Sequence, residues 1–194
     1  MLQIVLIRPG STDYDEQGRI VGTLDIPLNE QGTREVQRII QEIQKLEIST
    51  VYCGPCECVC QTAEAISEAL GSKLKKLDTL RNIDHGLWQG MLIEDVKRKQ
   101  PKVYRQWQEQ PEIICPPEGE MLSEARERVQ AALAKIIKKH KQGAIALVVP
   151  EPIASVVQAH LSQSELGDLW GGGSVCGRWE VISIEPHSAV HPQP

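Results

Sequence analysis

Phenylalanine is absent from the 194 residues, so aromatic bulk in any core must come from Trp88, Trp107, Trp170 and Trp179 and the three tyrosines. No apolar run approaches the roughly 20 residues that a membrane-spanning helix needs. The first residues form a short apolar stretch interrupted by Gln3, with no basic leader, which reads as a strand and not a signal peptide. A cytoplasmic protein without membrane contact is the expectation. There is no cationic surplus: the net charge is −5, which argues against a broad nucleic-acid surface. Internal repeats and interdomain linkers are also missing. What remains is an ordinary soluble composition, 41% hydrophobic and 24% charged, of a length that one domain accommodates.

The hydrophobic pattern alternates strands with helices. Leu2 to Ile7 is a short buried strand that stops at the corner Arg8-Pro9-Gly10. A polar loop is expected from Asp13 to Gly22. Asn29 then caps a helix carrying Val36, Ile39, Ile40, Ile43 and Leu46 at helical spacing. Ser49 to Cys53 is a second strand, followed by a helix from about Cys56 to Leu70 that Gly71 ends. Leu74 to Leu77 is a third strand, partly exposed. After a loop from Leu80 to Gly90, two short helices run over Ile93 to Lys99 and Pro101 to Gln108. Pro111 to Glu120 is irregular. The longest helix carries Leu122, Ala125, Val129, Ala132, Leu133, Ile136 and Ile137, and a basic turn suits its C-terminal end. Ala144 to Val149 is a buried strand, and a helix follows Pro152 to about Leu161. A helical turn over Ser164 to Leu169, a loop at Gly171 to Gly173 and a strand over Arg178 to Ile184 complete the pattern. This order implies an α/β protein, three layers deep, with a mostly parallel central sheet. Residues 1–185 are expected to form one domain and residues 186–194 a flexible tail.

The corner resembles the Arg-His-Gly signature of the histidine phosphatase (phosphoglycerate mutase-like) superfamily, with Pro9 in place of the histidine. Further stretches resemble the same family in the same order. They are Arg19-x-x-Gly22-x-x-Asp25-x-Pro27-Leu28-x-x-x-Gly32, Tyr52-x-x-Pro55 with Gln61-Thr62-Ala63, and Leu80-Arg81 with Gly86-x-Trp88-x-Gly90. Pro117-x-Gly119-Glu120 and Ala146-Leu147-Val148-Val149 follow. Together they span Ile4 to about Pro152. The resemblance implies the family's α/β/α fold and, for its active members, phosphatase or phosphomutase chemistry through a phosphohistidine.

Position by position, the resemblance implies a changed pocket. The nucleophile is Pro9, the first phosphate-binding arginine is Arg8, and the second arginine is Cys58. The proton-donating glutamate is Asn82, and the second histidine is Glu151. A dianionic phosphoryl group needs convergent positive charge and donors. Arg8 alone supplies charge here, Glu151 opposes it, and Pro9 lacks an N–H. An ion pair between Glu151 and Arg8 in the former anion site is expected. Arg8, Thr12, Asp15, Thr23 and His85 are the candidate binding residues. Asp15 stands where the family commonly has asparagine. His85 reads as an exposed loop residue, with a rescued nucleophile or acid as the alternative; His140, His160, His187 and His191 read as surface residues.

The second unusual feature is Cys53-Gly54-Pro55-Cys56-Glu57-Cys58-Val59-Cys60. Cys53 and Cys56 match the thioredoxin-type dithiol spacing between a strand and a helix, where a helix N-terminus lowers a thiol pKa. An inert structural cluster, a Cys53–Cys56 redox pair and a metal site remain open, the last disfavoured because helical geometry points Cys58 away from Cys56. Cys58 is expected to face the pocket, and Cys115 and Cys176 look isolated. The leading reading is a degenerate family member without phosphohistidine chemistry. It binds an unidentified small ligand or protein partner through the old cleft, with no cofactor and no metal, and homodimerisation is left open. The alternatives are a phosphatase or phosphomutase acting on a small phosphorylated substrate with substitute residues, and a dithiol redox protein.

Overall fold

The computed structural model describes residues 1–113, 115–166 and 175–185. The elements are β1 (Leu2–Ile7), α1 (Asp13–Glu16), α2 (Glu30–Ile43), β2 (Ile48–Cys53), α3 (Glu57–Leu70), β3 (Lys73–Lys76), α4 (Ile93–Lys99), α5 (Pro101–Glu109), α6 (Leu122–Lys139), β4 (Gly143–Val148), α7 (Ile153–Ser162) and β5 (Trp179–Ile184). The five strands form one sheet in the order β3-β2-β4-β1-β5. All neighbours are parallel except β5, which runs antiparallel to β1 with Ile7 opposite Trp179.

The period-two alternation of β1 divides the core. Leu2, Ile4 and Leu6 face one side, where they pack with Ile145 and Leu147 of β4 against Leu133 of α6 and Val157 of α7. Val5 and Ile7 face the other, with Val51 of β2 and Val148 of β4, against Ile39 of α2 and Ile66 of α3. Each side chain from Ile4 to Ile7 is completely buried, and each contributes roughly 1.5–3 kcal/mol of burial. A register slip of one residue would turn both faces inside out. A smaller cluster of Ile20, Trp88, Val96 and Trp107 fastens α4 and α5 beside the ends of the strands. Tryptophan supplies the bulk there in place of the absent phenylalanine.

The caps behave as their chemistry dictates. Asn29 accepts from the Gly32 N–H and opens α2. Gly71 closes α3 with φ of 63°. Pro101 occupies the first turn of α5. Three local expectations need correction. The Asp13 to Gly22 loop contains α1, which nucleates because Thr12 and Asp15 form a reciprocal capping box. The third strand spans Lys73–Lys76, one residue earlier than expected, because the parallel ladder with β2 begins at the Thr50–Lys73 pair and ends at Cys53–Lys76. Residues 164–166 are not helical, since α7 ends in a left-handed Gln163. The remainder of that expected turn, the Gly171–Gly173 loop, Trp170, His187, His191 and the tail 186–194 lie outside the described residues.

Candidate functional site: a charge-balanced cavity at the ends of the strands

The Arg8-Pro9-Gly10 corner leaves the C-terminal end of β1, where open α/β sheets place their ligand crevice. Arg8 N–H donates to the Arg178 carbonyl at 2.9 Å, and the Pro9 carbonyl accepts from Gly177 N–H at 2.9 Å. Gly10 N–H donates to Thr62 Oγ1 at 3.3 Å. A Cβ at residue 10 would lie 2.4 Å from the Gly32 carbonyl oxygen, so the corner packs backbone against backbone and admits only glycine. Ser11 donates from both N–H and Oγ to Glu35. Thr12 donates likewise to Asp15, at 2.8 and 2.6 Å.

The cavity beside this corner encloses about 440 Å³. Arg8, Pro9, Cys58, Asn82 and Glu151 all line it, together with Thr12, Asp15 and His85. Four separate chain segments are thereby brought to one place. Thr23 is not in that wall: its N–H and hydroxyl donate to the Gln89 side chain at 2.6 and 2.9 Å.

Arg8 is engaged at each of its three nitrogens. Its Nε donates to Glu151 Oε1 at 2.6 Å, Nη1 to Glu180 Oε1 at 3.0 Å and Nη2 to Gln158 Oε1 at 3.5 Å. Glu151 is itself held by the N–H and hydroxyl of Ser155, at 3.2 and 2.8 Å, in the first turn of α7. Gln158 in turn donates to Glu180. Burial pulls the Arg8 pKa down, but the hydrogen bonds and charges of Glu151 and Glu180 outweigh it and hold it above its usual value. The expected Arg8–Glu151 ion pair is therefore present, and Glu180 joins it from β5.

The lining charges balance: Arg8 and Arg19 face Asp15 and Glu151. Arg19 is also engaged, donating to the Gly90 carbonyl at 2.6 Å and to Gln17 at 2.7 Å. Asn82 is buried and turns its amide to the backbone, donating to the Gly22 carbonyl and accepting from Ile83 N–H. Arg128 of α6 fastens this loop by donating to the carbonyls of Thr79, Arg81 and Asn82 and to both carboxylate oxygens of Glu120.

His85 corrects the sequence reading. It is 3% exposed, with its ring edge-on to Trp107 at 5.6 Å. Burial pushes its pKa down to about 4, against the weaker opposing pull of Asp84 and Glu120, so the imidazole in the wall is neutral. The loop is inward because α5 brings Trp107 over it, a tertiary contact with no local signature. Sequence reasoning also missed Ile93, Tyr104 and Trp107, which form an apolar wall, and Cys176, which lines the cavity and interacts with Cys58. The aromatic spacing of α5 was the available signal for the first group; Cys176 had none.

The cysteines divide. Cys56 and Cys58 line the cavity. The Cys53 thiol contacts Cys60 instead. The expected helix-lowered thiols are not found: burial pushes Cys53 up to about 12 and raises Cys56 and Cys58. Desolvation exceeds the influence of the helix terminus because the whole turn is packed on the sheet. Among the described residues, no group of three or more His, Cys, Asp or Glu is arranged to hold a metal, and no helix is long and apolar enough to cross a membrane. A larger, open groove of about 820 Å³ between α5, α6 and α7 is lined by Arg126, His160 and Glu165 among others. It lacks the convergent side chains of the corner cavity.

Comparison with known proteins agrees with this architecture. Phosphoserine phosphatase 1 of Hydrogenobacter thermophilus is 29% identical over 190 residues, covering 98% of this chain and 90% of that protein. Phosphoglycerate mutase-like protein 4 of Arabidopsis thaliana is 31% identical over 150 residues, covering 75% and 65%. In three dimensions, Bacillus stearothermophilus YhfR superimposes with a TM-score of 0.86 at 20% identity over 95% of this chain and 92% of that one. A mycobacterial glucosyl-3-phosphoglycerate phosphatase in complex with VO3 superimposes with a TM-score of 0.85 at 21% identity over 93% and 90%. The profile of the histidine phosphatase superfamily (branch 1) matches residues 4–189, and the chain belongs to that family.

Proposed function

We propose that this chain is a family member that does not turn over phosphate esters through a phosphohistidine, and that its cavity binds a small molecule of low net charge. The observation that carries this reading is the pairing of Arg8 with both Glu151 and Glu180. An incoming phosphate dianion would have to displace two carboxylates from a guanidinium that is 11% exposed. Its own repulsion from Glu151 would oppose the exchange. Pro9 supplies neither a nucleophile nor an N–H at the corner. The apolar side chains of Ile93, Tyr104 and Trp107, in the same lining as the charged groups, suit an amphipathic ligand.

A second reading keeps the phosphatase activity named for the relatives and moves the nucleophile to His85. It is favoured by the neutral imidazole in the same wall as Arg8 and by the near full-length similarity to a phosphoserine phosphatase. One experiment separates the two. The unmodified protein and a variant carrying Pro9→His, Cys58→Arg, Asn82→Glu and Glu151→His are assayed over a panel of phosphate monoesters. The first reading expects turnover only in the variant. Turnover by the unmodified protein that disappears in His85→Ala and Arg8→Ala establishes the second.

A further inference from the structure

We propose that Cys53 and Cys60 form a hydroperoxide-sensitive dithiol, with Cys60 as the attacking sulfur, Cys53 as the resolving one and Lys76 as the residue that positions and assists Cys60. The site lies at the start of α3, with Cys60 outside the cavity wall that Cys56 and Cys58 line. Cys53 ends β2 and is 1% exposed, whereas Cys60, one turn into α3, is half-buried and reachable from solvent. Cys60 packs against the core cluster that buries Cys53, and the two thiols interact there. Lys76 is the ladder partner of Cys53 on β3, so its side chain rises on the same face of the sheet, and its ammonium interacts with Cys60. Cys60 Sγ also lies 3.4 Å from the Gly54 carbonyl oxygen and 3.3 Å from that of Pro55. Those carbonyls fix the sulfur over the end of β2.

Buried cysteines often serve as small apolar side chains. Packing alone explains Cys53, but it does not place a second thiol and an ammonium on one sulfur. The roles follow from access. Burial raises Cys53 to about 12, so it stays protonated and waits. Cys60 meets the oxidant first. Its thiol gives up its proton, the sulfur attacks one peroxide oxygen, the O–O bond breaks, and the leaving hydroxide takes up that proton to become water. Lys76 stabilises the charge on sulfur during the approach. Cys60 is then a sulfenic acid. The Cys53 sulfur attacks it, an S–S bond forms, the S–O bond breaks, and water leaves with the Cys53 proton. Two thiols lose two electrons, and one hydroperoxide gains them. The product ties the first turns of α3 to the end of the sheet.

The test uses the unmodified protein, treated with hydrogen peroxide and then with iodoacetamide. Cleavage after Glu57 separates Cys53 and Cys56 from Cys58 and Cys60. The expected product joins those two fragments through Cys53 and Cys60, with Cys56 and Cys58 alkylated. Cys56→Ser and Cys58→Ser retain the mass loss of two hydrogens. Cys53→Ser leaves Cys60 as a sulfenic acid trapped by a cyclic dione. Lys76→Met, at an exposed position that leaves packing intact, slows oxidation roughly fivefold, the range of an exposed charge interaction. A linkage through Cys56 or Cys58 overturns the proposal. So does peroxide consumption confined to the exposed Cys115, or a Cys60 that alkylates fully after peroxide. An unchanged rate in Lys76→Met overturns the role of the lysine.

Discussion

His85 makes the cavity wall acid-sensitive, and the size of the effect follows from its burial. The folded protein holds its pKa at about 4, against an ordinary value near 6.5. The unfolded chain therefore takes up a proton first as pH falls. Stability from this residue is fully present above about pH 6.5, declines below it and levels off beneath about pH 4. By linkage, the loss is about 2 kcal/mol at pH 5 and about 3 kcal/mol at pH 4. Glu120 adds loss in the same direction: burial raises its pKa, but Arg128 outweighs that and holds the carboxyl low. Its stabilisation is present above the unfolded carboxylate pKa and disappears as pH falls through the folded value. A comparison of wild type with His85→Gln removes that shared background. Urea unfolding at pH 7 and pH 5 should show wild type losing about 2 kcal/mol more than the variant across the interval. Equal losses in the two proteins would mean that His85 is not held neutral in the wall, and the inward placement of its loop would have to be abandoned.

Other consequences are as direct. Gly10→Ala places a Cβ 2.4 Å from the Gly32 carbonyl oxygen and should cost more than about 3 kcal/mol, seen as a large drop in Tm, or prevent folding; Gly18→Ala, at φ of 65° with open space around it, should cost only about 1 kcal/mol. Arg128→Ala removes the donors to three carbonyls and leaves the Glu120 carboxylate half-buried without its main partner. A loss of about 3–5 kcal/mol in urea unfolding is expected, together with faster proteolysis in the 78–90 loop; retention of the wild-type midpoint would show that the loop is held elsewhere. Glu151→Gln keeps the shape of the Arg8 pair and removes one opposing charge. Millimolar phosphate should then raise the Tm of the variant and leave that of wild type unchanged, whereas an equal rise in both would show that Glu151 does not guard the guanidinium.

The layers of the fold were legible because their signals are local and repeated. The alternation of Ile4 to Ile7, the caps at Asn29 and Gly71 and the proline at the start of α5 each act within a few residues. The Arg8–Glu151 pair was also legible, since each residue sits at the end of a strand that the pattern delivers to the same edge. What was not legible depends on contacts between segments far apart in the chain. His85 is buried by Trp107, 22 residues away, and Cys176 reaches Cys58 across more than half of the chain. Glu180 joined the Arg8 pair because β5 runs antiparallel against β1 and sets Leu6 opposite it, a register that the strand's own residues do not encode. Thr23 failed as a wall residue because Gln89 captures both of its donors.

The four clustered cysteines read in sequence as one motif, and the fold divides them between two sites. Residues two apart on an α-helix point about 160° away from one another. Once α3 starts at Glu57, Cys58 and Cys60 cannot share a side. Cys58 enters the cavity with Cys56, and Cys60 meets Cys53 and Lys76 over the sheet. The first turn of α3 carries both Cys58 and Cys60 and is the element through which the two sites would be coupled. Oxidation between Cys53 and Cys60 holds that turn against β2, and so fixes the height at which Cys58 stands in the cavity wall. A ligand in the cavity would meet the same turn through Cys56 and Cys58. If both the binding role and the dithiol hold, a ligand that favours the position of Cys58 in the disulfide form must favour closure of the disulfide by the same free energy. Measuring the disulfide's reduction potential with and without a saturating ligand would read that coupling, and an unchanged potential would show that the two faces of the turn act independently.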